Sequence, residues 1–289
     1  MAAEEPRSLI DGAPGDLLPV SDRGFAYGDG VFRTIRIDRG QPWLWSDHMA
    51  KLASDCTRLG LPLSQTVLAD LRDEVESLVA EESGVLRLVV TRGSGPRGDR
   101  PPVPAQPRRV MTFHPGAGAP AGPLARSVRL CRVRLPEQRE LAGIKHLNRL
   151  PQVLARTEWS GSAPAEGLLL DHEGSVICGT MSNVFVRIDE CVLTPRLDRC
   201  GVAGVVRSRL LGGELPAIQA SSLTVEEARV TLDDLERADE LWLTNAVIGL
   251  WSVAALEDAE SRHLRSWPEA PSQLAQALFA DLTALGAGS

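Results

Sequence analysis

Lysine is almost absent from this chain of 289 residues. Of its 31 lysines and arginines, only Lys51 and Lys145 are lysine. Arginine stays protonated and binds carboxylates through two parallel hydrogen bonds, whereas lysine can lose its proton and attack a carbonyl. A chain that prefers arginine is expected to keep lysine where amine chemistry is needed, although high-GC coding could leave two by chance. Both lysines are therefore candidates for a catalytic or cofactor-binding role.

Other absences exclude whole classes of protein. The five cysteines are odd in number and form no C-x-x-C pair, so neither a disulfide framework nor a zinc knuckle is expected. The net charge of -7 leaves no basic face for nucleic acid, while a small anionic ligand remains compatible with it. The N-terminal stretch lacks an apolar signal core, and no run reaches the roughly 18 apolar residues that span a bilayer. We expect a cytoplasmic protein with no metal, no nucleic acid and no membrane contact.

The chain also lacks internal repeats and a Walker motif. Its length favours two domains, and the small-residue stretch "PGAGAPAGP" is typical of a linker. We predict an N-terminal α/β domain over 1–115, a linker over 116–124 and a C-terminal domain over 125–289.

Alternating apolar residues predict strands, and 3.6-residue periodicity between caps predicts helices. The predicted strands are "VFRTIRI", "GVLRLVV", "RRVMTFHP", "RSVRLCRVRL", hairpins turning near residues 172–174 and 189–190, and two strands around Asn245. The predicted helices follow Ser46 and Ser64 as N-caps, run through "HLNRLPQVLARTEWSG" with Pro151 in the first turn, follow "GVAG", and end the chain over roughly 271–285. Mixed elements without a regular βαβ rhythm predict an α+β fold.

Lys145 lies in the stretch "GIKHLNRLPQVLAR". The commonest reason for an obligatory lysine is that it anchors pyridoxal 5'-phosphate (PLP). Together with "DRGFAYGDGVFRTIR", "RGSGPRG", "TMSNVF" and "LTPRLDRCGVAGVVR", this text resembles the fold-type IV PLP enzymes. These are the class IV aminotransferases of branched-chain and D-amino acids. Within them the chain most resembles the 4-amino-4-deoxychorismate lyase branch, over nearly its whole length.

The resemblance implies a two-domain α+β or α/β fold like that of D-amino-acid aminotransferase, with PLP in the interdomain cleft. It implies a homodimer and a small dianionic substrate. It also implies that Lys145 carries PLP covalently and then serves as general base and acid. A surface lysine is the alternative for that residue.

The resemblance places further residues around PLP. Lys51 falls where the class has a phosphate-binding arginine; otherwise it is an exposed helix lysine. Val202 would lie against the pyridine ring, and the N–H groups of a turn opening a helix would bind phosphate, although such a turn is usually only a bend. That turn contributes Gly204, Val205 and Val206.

On the substrate side the resemblance implies Phe32, Arg36 and Arg97, with the two arginines holding carboxylates. Thr34, on the strand face of Arg36, matches a threonine that handles a proton. The alternatives are a salt-bridged strand residue for Arg36, a solvated loop residue for Arg97 and a strand former for Thr34.

Three positions depart from the class pattern. Cys178 stands where a glutamate pairs with the pyridine nitrogen, and a neutral thiol stabilises a pyridinium far less than a thiolate would. Ala246 replaces a hydroxyl residue that caps the phosphate, with Asn245 beside it as a substitute. Asp99 replaces an aromatic residue.

The activity implied is elimination of pyruvate from 4-amino-4-deoxychorismate, which yields 4-aminobenzoate for folate synthesis. Two alternatives stay open. One is a D-amino-acid or branched-chain transaminase on the same fold. The other is a degenerate PLP-fold protein without robust catalysis. The departures from the class pattern at Lys51, Cys178 and Ala246 favour this alternative.

Overall fold

A computed structural model describes residues 5–286. They form two compact units. Among the described residues, the first runs to Ala119 and takes in the short segment Lys145–Asn148 and Gly286. The second comprises Pro120–Ile144 and Arg149–Leu285. The domain boundaries drawn from the sequence, 1–115 and 125–289, stay a prediction.

The first unit is one antiparallel sheet with helices against it. The strand order is β2-β1-β6-β5-β3-β4. Its strands are β1 (Arg7–Ile10), β2 (Ala13–Pro14), β3 (Gly30–Asp38), β4 (Gln41–Pro42), β5 (Gly84–Thr91) and β6 (Arg108–Pro115). Its helices are α1 (Arg23–Tyr27), α2 (Trp45–Arg58) and α3 (Gln65–Val79).

Alternation along β3 gives this sheet two different faces. Ile35 and Ile37 point to the face covered by α2 and α3, where they are fully buried with Leu86 and Phe113 of the neighbouring strands. Residues 32, 34 and 36 point the other way. A buried apolar face of this kind fixes the register of β3 against β5, because a slip of one residue would turn it outward.

The second unit is built on a larger mixed sheet of order β12-β11-β10-β13-β14-β7-β8-β9, with β15 on β14. Its strands are β7 (Leu124–Leu135), β8 (Glu166–Asp171), β9 (Val176–Gly179), β10 (Asn183–Ile188), β11 (Cys191–Pro195), β12 (Thr224–Ala228), β13 (Glu240–Asn245), β14 (Gly249–Glu257) and β15 (His263–Ser266). Its helices are α4 (Leu150–Arg156), α5 (Val205–Leu211), α6 (Pro216–Gln219), α7 (Leu232–Arg237) and α8 (Gln273–Leu285). No helix within residues 5–286 is long and apolar enough to cross a membrane.

The predicted strands and hairpins are confirmed, as are the Ser64 cap and the position of Pro151 in the first turn of α4. The Ser46 cap was wrong. Helix α2 begins at Trp45, after Leu44 at φ 54°, because Trp43 and Leu44 are buried and turn the chain two residues earlier. The predicted helix over "HLNRLPQVLARTEWSG" was too long, since α4 starts only at Leu150.

Candidate functional site

Lys145 lies in a short extended segment that pairs with β3. Its carbonyl oxygen accepts the Phe32 N–H at 2.9 Å, and its own N–H donates to the Asp55 carboxylate at 3.0 Å. The next residues continue the pairing through a bridge between Val31 and His146. The Lys145 Nζ lies 4.5 Å from the centroid of the Phe32 ring. The sheet therefore fixes the main chain of Lys145 and places its amine over an aromatic face.

The carboxylate that accepts the Lys145 N–H also binds two cationic side chains. Asp55 of α2 is fully buried and forms ion pairs with Arg33 of β3, at 2.7 Å, and with Lys51 one helical turn earlier. Burial lowers the pKa of Lys51, and the Asp55 charge opposes that shift. Lys51 is therefore no exposed helix lysine, which was the alternative to phosphate binding; whether it binds phosphate stays a prediction.

His48, on the same face of α2, is buried, and its two ring nitrogens have no hydrogen-bond partner among the described residues. Burial lowers its pKa to about 3, and the charges of Arg33 and Lys145 push in the same direction. The imidazole is thus neutral at physiological pH.

The buried His48 predicts acid sensitivity. Its folded pKa of about 3 lies below the ordinary value of 6.5, so the unfolded chain binds the extra proton between these values. Stability should therefore fall as pH drops through that window, by up to about 1.4 kcal/mol per pH unit from this group. Urea unfolding at pH 7, 6, 5 and 4 measures the slope. His48→Leu should flatten it, and an unchanged slope in that variant would contradict the assignment.

One face of β3 carries three of the residues inferred from the sequence, while Arg97 lies elsewhere. Phe32, Thr34 and Arg36 project to this side. Arg87 of β5 pairs opposite Thr34, and its guanidinium lies 4.4 Å from the Phe32 ring. Arg36 is buried and stacks on Trp43 at 3.9 Å, with Nε and Nη1 lacking partners among the described residues. The face thus carries two arginines, and Arg87 was missed from the sequence.

Arg97 has a different setting, on the exposed loop between β5 and β6. Arg23 at the start of α1 holds that loop. It is buried, and it donates to the carbonyl oxygens of Gly98 and Asp99 at 3.0 and 2.8 Å. Tyr27 accepts the Gly98 N–H. The carboxylate-binding role of Arg97 stays a prediction, and Arg23 gives its loop a defined shape.

In the second unit, Asn183 organises the turn that opens α5. Its side chain donates to the Val202 carbonyl at 2.8 Å and accepts the Gly204 N–H at 3.2 Å. No side chain caps α5, whose first residues are Val205 and Val206. A Cβ on Gly204 would come within 2.4 Å of the Asn183 Oδ1, so this close approach requires glycine. The Gly204 N–H is therefore already used, and Val205 and Val206 are the better anion donors of the predicted set.

Asn245 closes the turn after β13. Its Oδ1 accepts the N–H groups of Val247 and Ile248, and its Nδ2 donates to the Met181 carbonyl at 3.1 Å. Ala246 lies within this turn. The Asn245 amide is thus occupied by main-chain partners, which leaves less of it to replace a missing hydroxyl at Ala246.

Cys178 of β9 is buried in an apolar cluster with Cys131, Cys200 and Ala155. Burial raises its pKa to about 12, and the positive charge of Arg149 opposes this only weakly. The thiol is therefore neutral at physiological pH, and of the two states considered from the sequence the thiolate is the one that burial disfavours.

The match to a family model shows which protein family this chain belongs to. The model of amino-transferase class IV matches residues 30–256, most of the chain. The chain belongs to the class IV aminotransferase family.

Three proteins of known name or structure are similar to this chain. An aminodeoxychorismate lyase from Vibrio harveyi is 36% identical over 260 residues, which is 88% of this chain and 92% of that protein. The crystal structure of 4-amino-4-deoxychorismate lyase from Pseudomonas aeruginosa is 40% identical, with a TM-score of 0.79 and coverage of 96% and 97%. A hypothetical aminotransferase from Mycobacterium tuberculosis in a PLP-bound form has a TM-score of 0.75 at 19% identity, covering 96% and 98%, which shows the fold alone. The two-domain fold-type IV assignment is confirmed.

For this class IV family member, sequence reasoning missed Arg23, Arg33, Asp55 and Arg87. Two signals were available. Arg33 interrupts the apolar face of β3, and Asp55 falls on the buried face of α2 with Leu52 and Cys56. A charge on an otherwise buried face requires a partner nearby.

Proposed function

We propose that this chain is a PLP-dependent 4-amino-4-deoxychorismate lyase, which releases pyruvate and 4-aminobenzoate for folate biosynthesis. The observation that carries the proposal is its 40% identity, over 96% of its length, to a structurally determined lyase of that name. Lys145 and the cations around it supply the chemistry that such a reaction needs.

The residues present fit PLP. The Lys145 main chain is fixed by two hydrogen bonds while its side chain extends over Phe32, as an anchoring amine requires. The uncapped start of α5 offers the N–H groups of Val205 and Val206 to a phosphate, and the close packing of Gly204 on Asn183 shapes that turn. Lys51 would add positive charge to phosphate binding, Val202 would contact the ring, and Asn245 and Ala246 would lie near the phosphate. When bound, PLP supplies an aldehyde for the amine and a ring that withdraws electrons.

Lys145 would move the proton. Its amine is the group we assign to remove hydrogen from the substrate carbon that carries nitrogen. Breaking the carbon–oxygen bond of the enolpyruvyl ether then leaves an aromatic ring and expels enolpyruvate, which takes up a proton to become pyruvate. Atoms balance without water, oxidant or amino acceptor. Thr34, on the face of β3 next to Phe32 and Arg36, would assist a proton transfer through its hydroxyl.

The substrate carries two carboxylates, and the chain offers arginines for them. Arg36 is buried against Trp43, so its charge acts in a poorly screened environment. Burial lowers the pKa of Arg36, and Asp38 opposes that shift, so the guanidinium stays charged at any physiological pH. We assign substrate binding to Arg36, Arg97 and Phe32.

The neutral thiol of Cys178 bears on the alternatives. A transaminase must return a proton to the cofactor, a step that a protonated ring nitrogen favours. A buried thiol with a pKa near 12 gives that nitrogen no negative partner. Aromatisation drives the lyase reaction and tolerates a weaker electron sink. Cys178 therefore favours the lyase over the transaminase.

We also propose a cytoplasmic homodimer. Leu150, Val153 and Leu154 form an exposed apolar face on α4, which a second copy of the chain would cover. A solution mass twice that of the 31.1 kDa chain is expected by light scattering, and a monomer would contradict the dimer.

The deciding assay gives the purified protein 4-amino-4-deoxychorismate and PLP without any amino acceptor. Equimolar 4-aminobenzoate and pyruvate are expected. Turnover that appears only when a keto acid is added would favour the transaminase. A colourless protein that ignores added PLP would favour the degenerate alternative.

A further inference from the structure

Asp55 accepts a main-chain hydrogen bond in addition to its two ion pairs. Its Oδ1 accepts the Lys51 amine. Its Oδ2 accepts both the Arg33 Nη2, at 2.7 Å, and the main-chain N–H of Lys145, at 3.0 Å. The carboxylate is fully buried, so water does not compete for these donors. The Asp55 Oδ2 thus binds both the Arg33 guanidinium and the main chain of Lys145, which lies 90 positions after Asp55 in the sequence.

The same contacts close a loop around Lys145. The Arg33 Nη1 donates to the Phe32 carbonyl at 2.6 Å, and the Phe32 N–H donates to the Lys145 carbonyl at 2.9 Å. Leu147 N–H donates to Gly30 at 3.0 Å and extends the pairing. The main chain of Lys145 is therefore held on both sides of its Cα, by Asp55 at the N–H and by β3 at the carbonyl.

The charges keep Asp55 able to accept. Burial alone would raise its pKa, but the charges of Arg33 and Lys51 and the hydrogen bonds from Lys51 and the Lys145 N–H outweigh burial and lower it. The group is therefore ionised at physiological pH, and a hydrogen bond to an ionised acceptor is stronger than one to a neutral acceptor.

We propose that Asp55 is a positioning residue for Lys145, which aims the Lys145 amine by fixing its main-chain N–H through the carboxylate braced by Arg33. This inference rests on the proposed function, because the direction of the amine matters only if Lys145 carries PLP. The competing explanation is that the Arg33–Asp55 pair only stabilises the fold. Removing one partner of a buried pair is strongly destabilising in either case, so stability alone does not separate them.

Two double variants separate positioning from stability. Arg33→Met/Asp55→Asn and Arg33→Met/Asp55→Ala both remove the buried pair, and Lys51, which is partly exposed, can turn to water in each. Only the asparagine variant keeps an oxygen that can accept the Lys145 N–H. If the pair serves the fold alone, the two variants should behave alike at Lys145.

The first readout is amide hydrogen exchange at residue 145 in the full-length chain without PLP. The Lys145 amide should be protected in the parent and in Arg33→Met/Asp55→Asn. It should exchange faster in Arg33→Met/Asp55→Ala, by on the order of tenfold or more, the size expected for losing one such hydrogen bond. Equal protection in the two double variants would overturn the proposal.

The second readout is the rate at which added PLP attaches to Lys145, followed by visible absorption. Arg33→Met/Asp55→Ala should be slower than Arg33→Met/Asp55→Asn by on the order of tenfold. Glu74→Ala is the control. It removes a less deeply buried pair with Arg109, at 2.9 and 3.0 Å, between α3 and β6. That control should lower the melting temperature and leave the attachment rate at the parental value; a loss of rate there as large as in the alanine double variant would assign the effect to stability and overturn the proposal.

The two proposals fail in different ways. If the parent itself does not attach PLP at Lys145, the proposed function fails, while amide exchange still tests the Asp55 contact. If the parent attaches PLP and both double variants match each other, the positioning role fails and the function stands.

Discussion

Replacing Lys145 with alanine is expected to lower kcat for 4-aminobenzoate formation by about 10³-fold or more. The substitution removes both the proposed covalent attachment point for PLP and the amine that we assign to move the proton. The purified variant should also lack the visible absorption of the parent. Steady-state turnover and an absorption spectrum of the same preparation measure the two effects.

Two features make this result interpretable. The alanine variant keeps the N–H and carbonyl of residue 145, so their contacts with Asp55 and Phe32 should persist and the fold should be kept. Lys145→Arg preserves the positive charge over Phe32 but cannot form an imine, and it should be as inactive as alanine. An arginine variant that kept substantial turnover would assign Lys145 an electrostatic role only.

Replacing Glu166 with alanine is expected to lower the free energy of unfolding by about 4 kcal/mol. This fully buried carboxylate accepts the main-chain N–H groups of Gly167, Thr180 and Met181, and the hydroxyls of Thr180 and Ser182. Alanine would leave several buried donors without an acceptor. Denaturant unfolding at pH 7 measures the loss.

The Glu166 effect should reach the candidate site. The turn that it holds runs directly into Asn183, which binds the carbonyl of Val202 and the N–H of Gly204. PLP should therefore dissociate more readily from Glu166→Ala than from the parent. Glu76→Ala, which removes an exposed pair with Arg72 on α3, is the control and should cost at most about 0.5 kcal/mol. Equal losses in both variants would contradict the role of Glu166.

Much of the fold follows from the sequence because its long strands alternate cleanly. "RRVMTFHP" predicts β6 to the residue, and "VFRTIRI" misses β3 by one residue at each end. The edge strands β2 and β4 have two residues each and no period to detect, so they depend on the partner strand that orders them. Ser46 failed as a cap because the burial of Trp43 and Leu44 outweighs a local preference.

The candidate site divides along similar lines. Lys145 is found from the sequence because lysine is so scarce, and the motif around it adds the family. Asp55 was missed although it falls on the buried face of α2, because its contacts with Arg33 and with the Lys145 N–H span distances in the sequence that no local pattern reports. Arg87 is missed for the same reason, since only the pairing of β5 with β3 places it opposite Thr34.

Borohydride reduction of the PLP-loaded protein, followed by peptide mass spectrometry, tests the assignment of the amine most directly. A phosphopyridoxyl group on Lys145, and not on Lys51, is the predicted result. Label on Lys51 alone, or none on either lysine in a protein that turns over substrate, would contradict it.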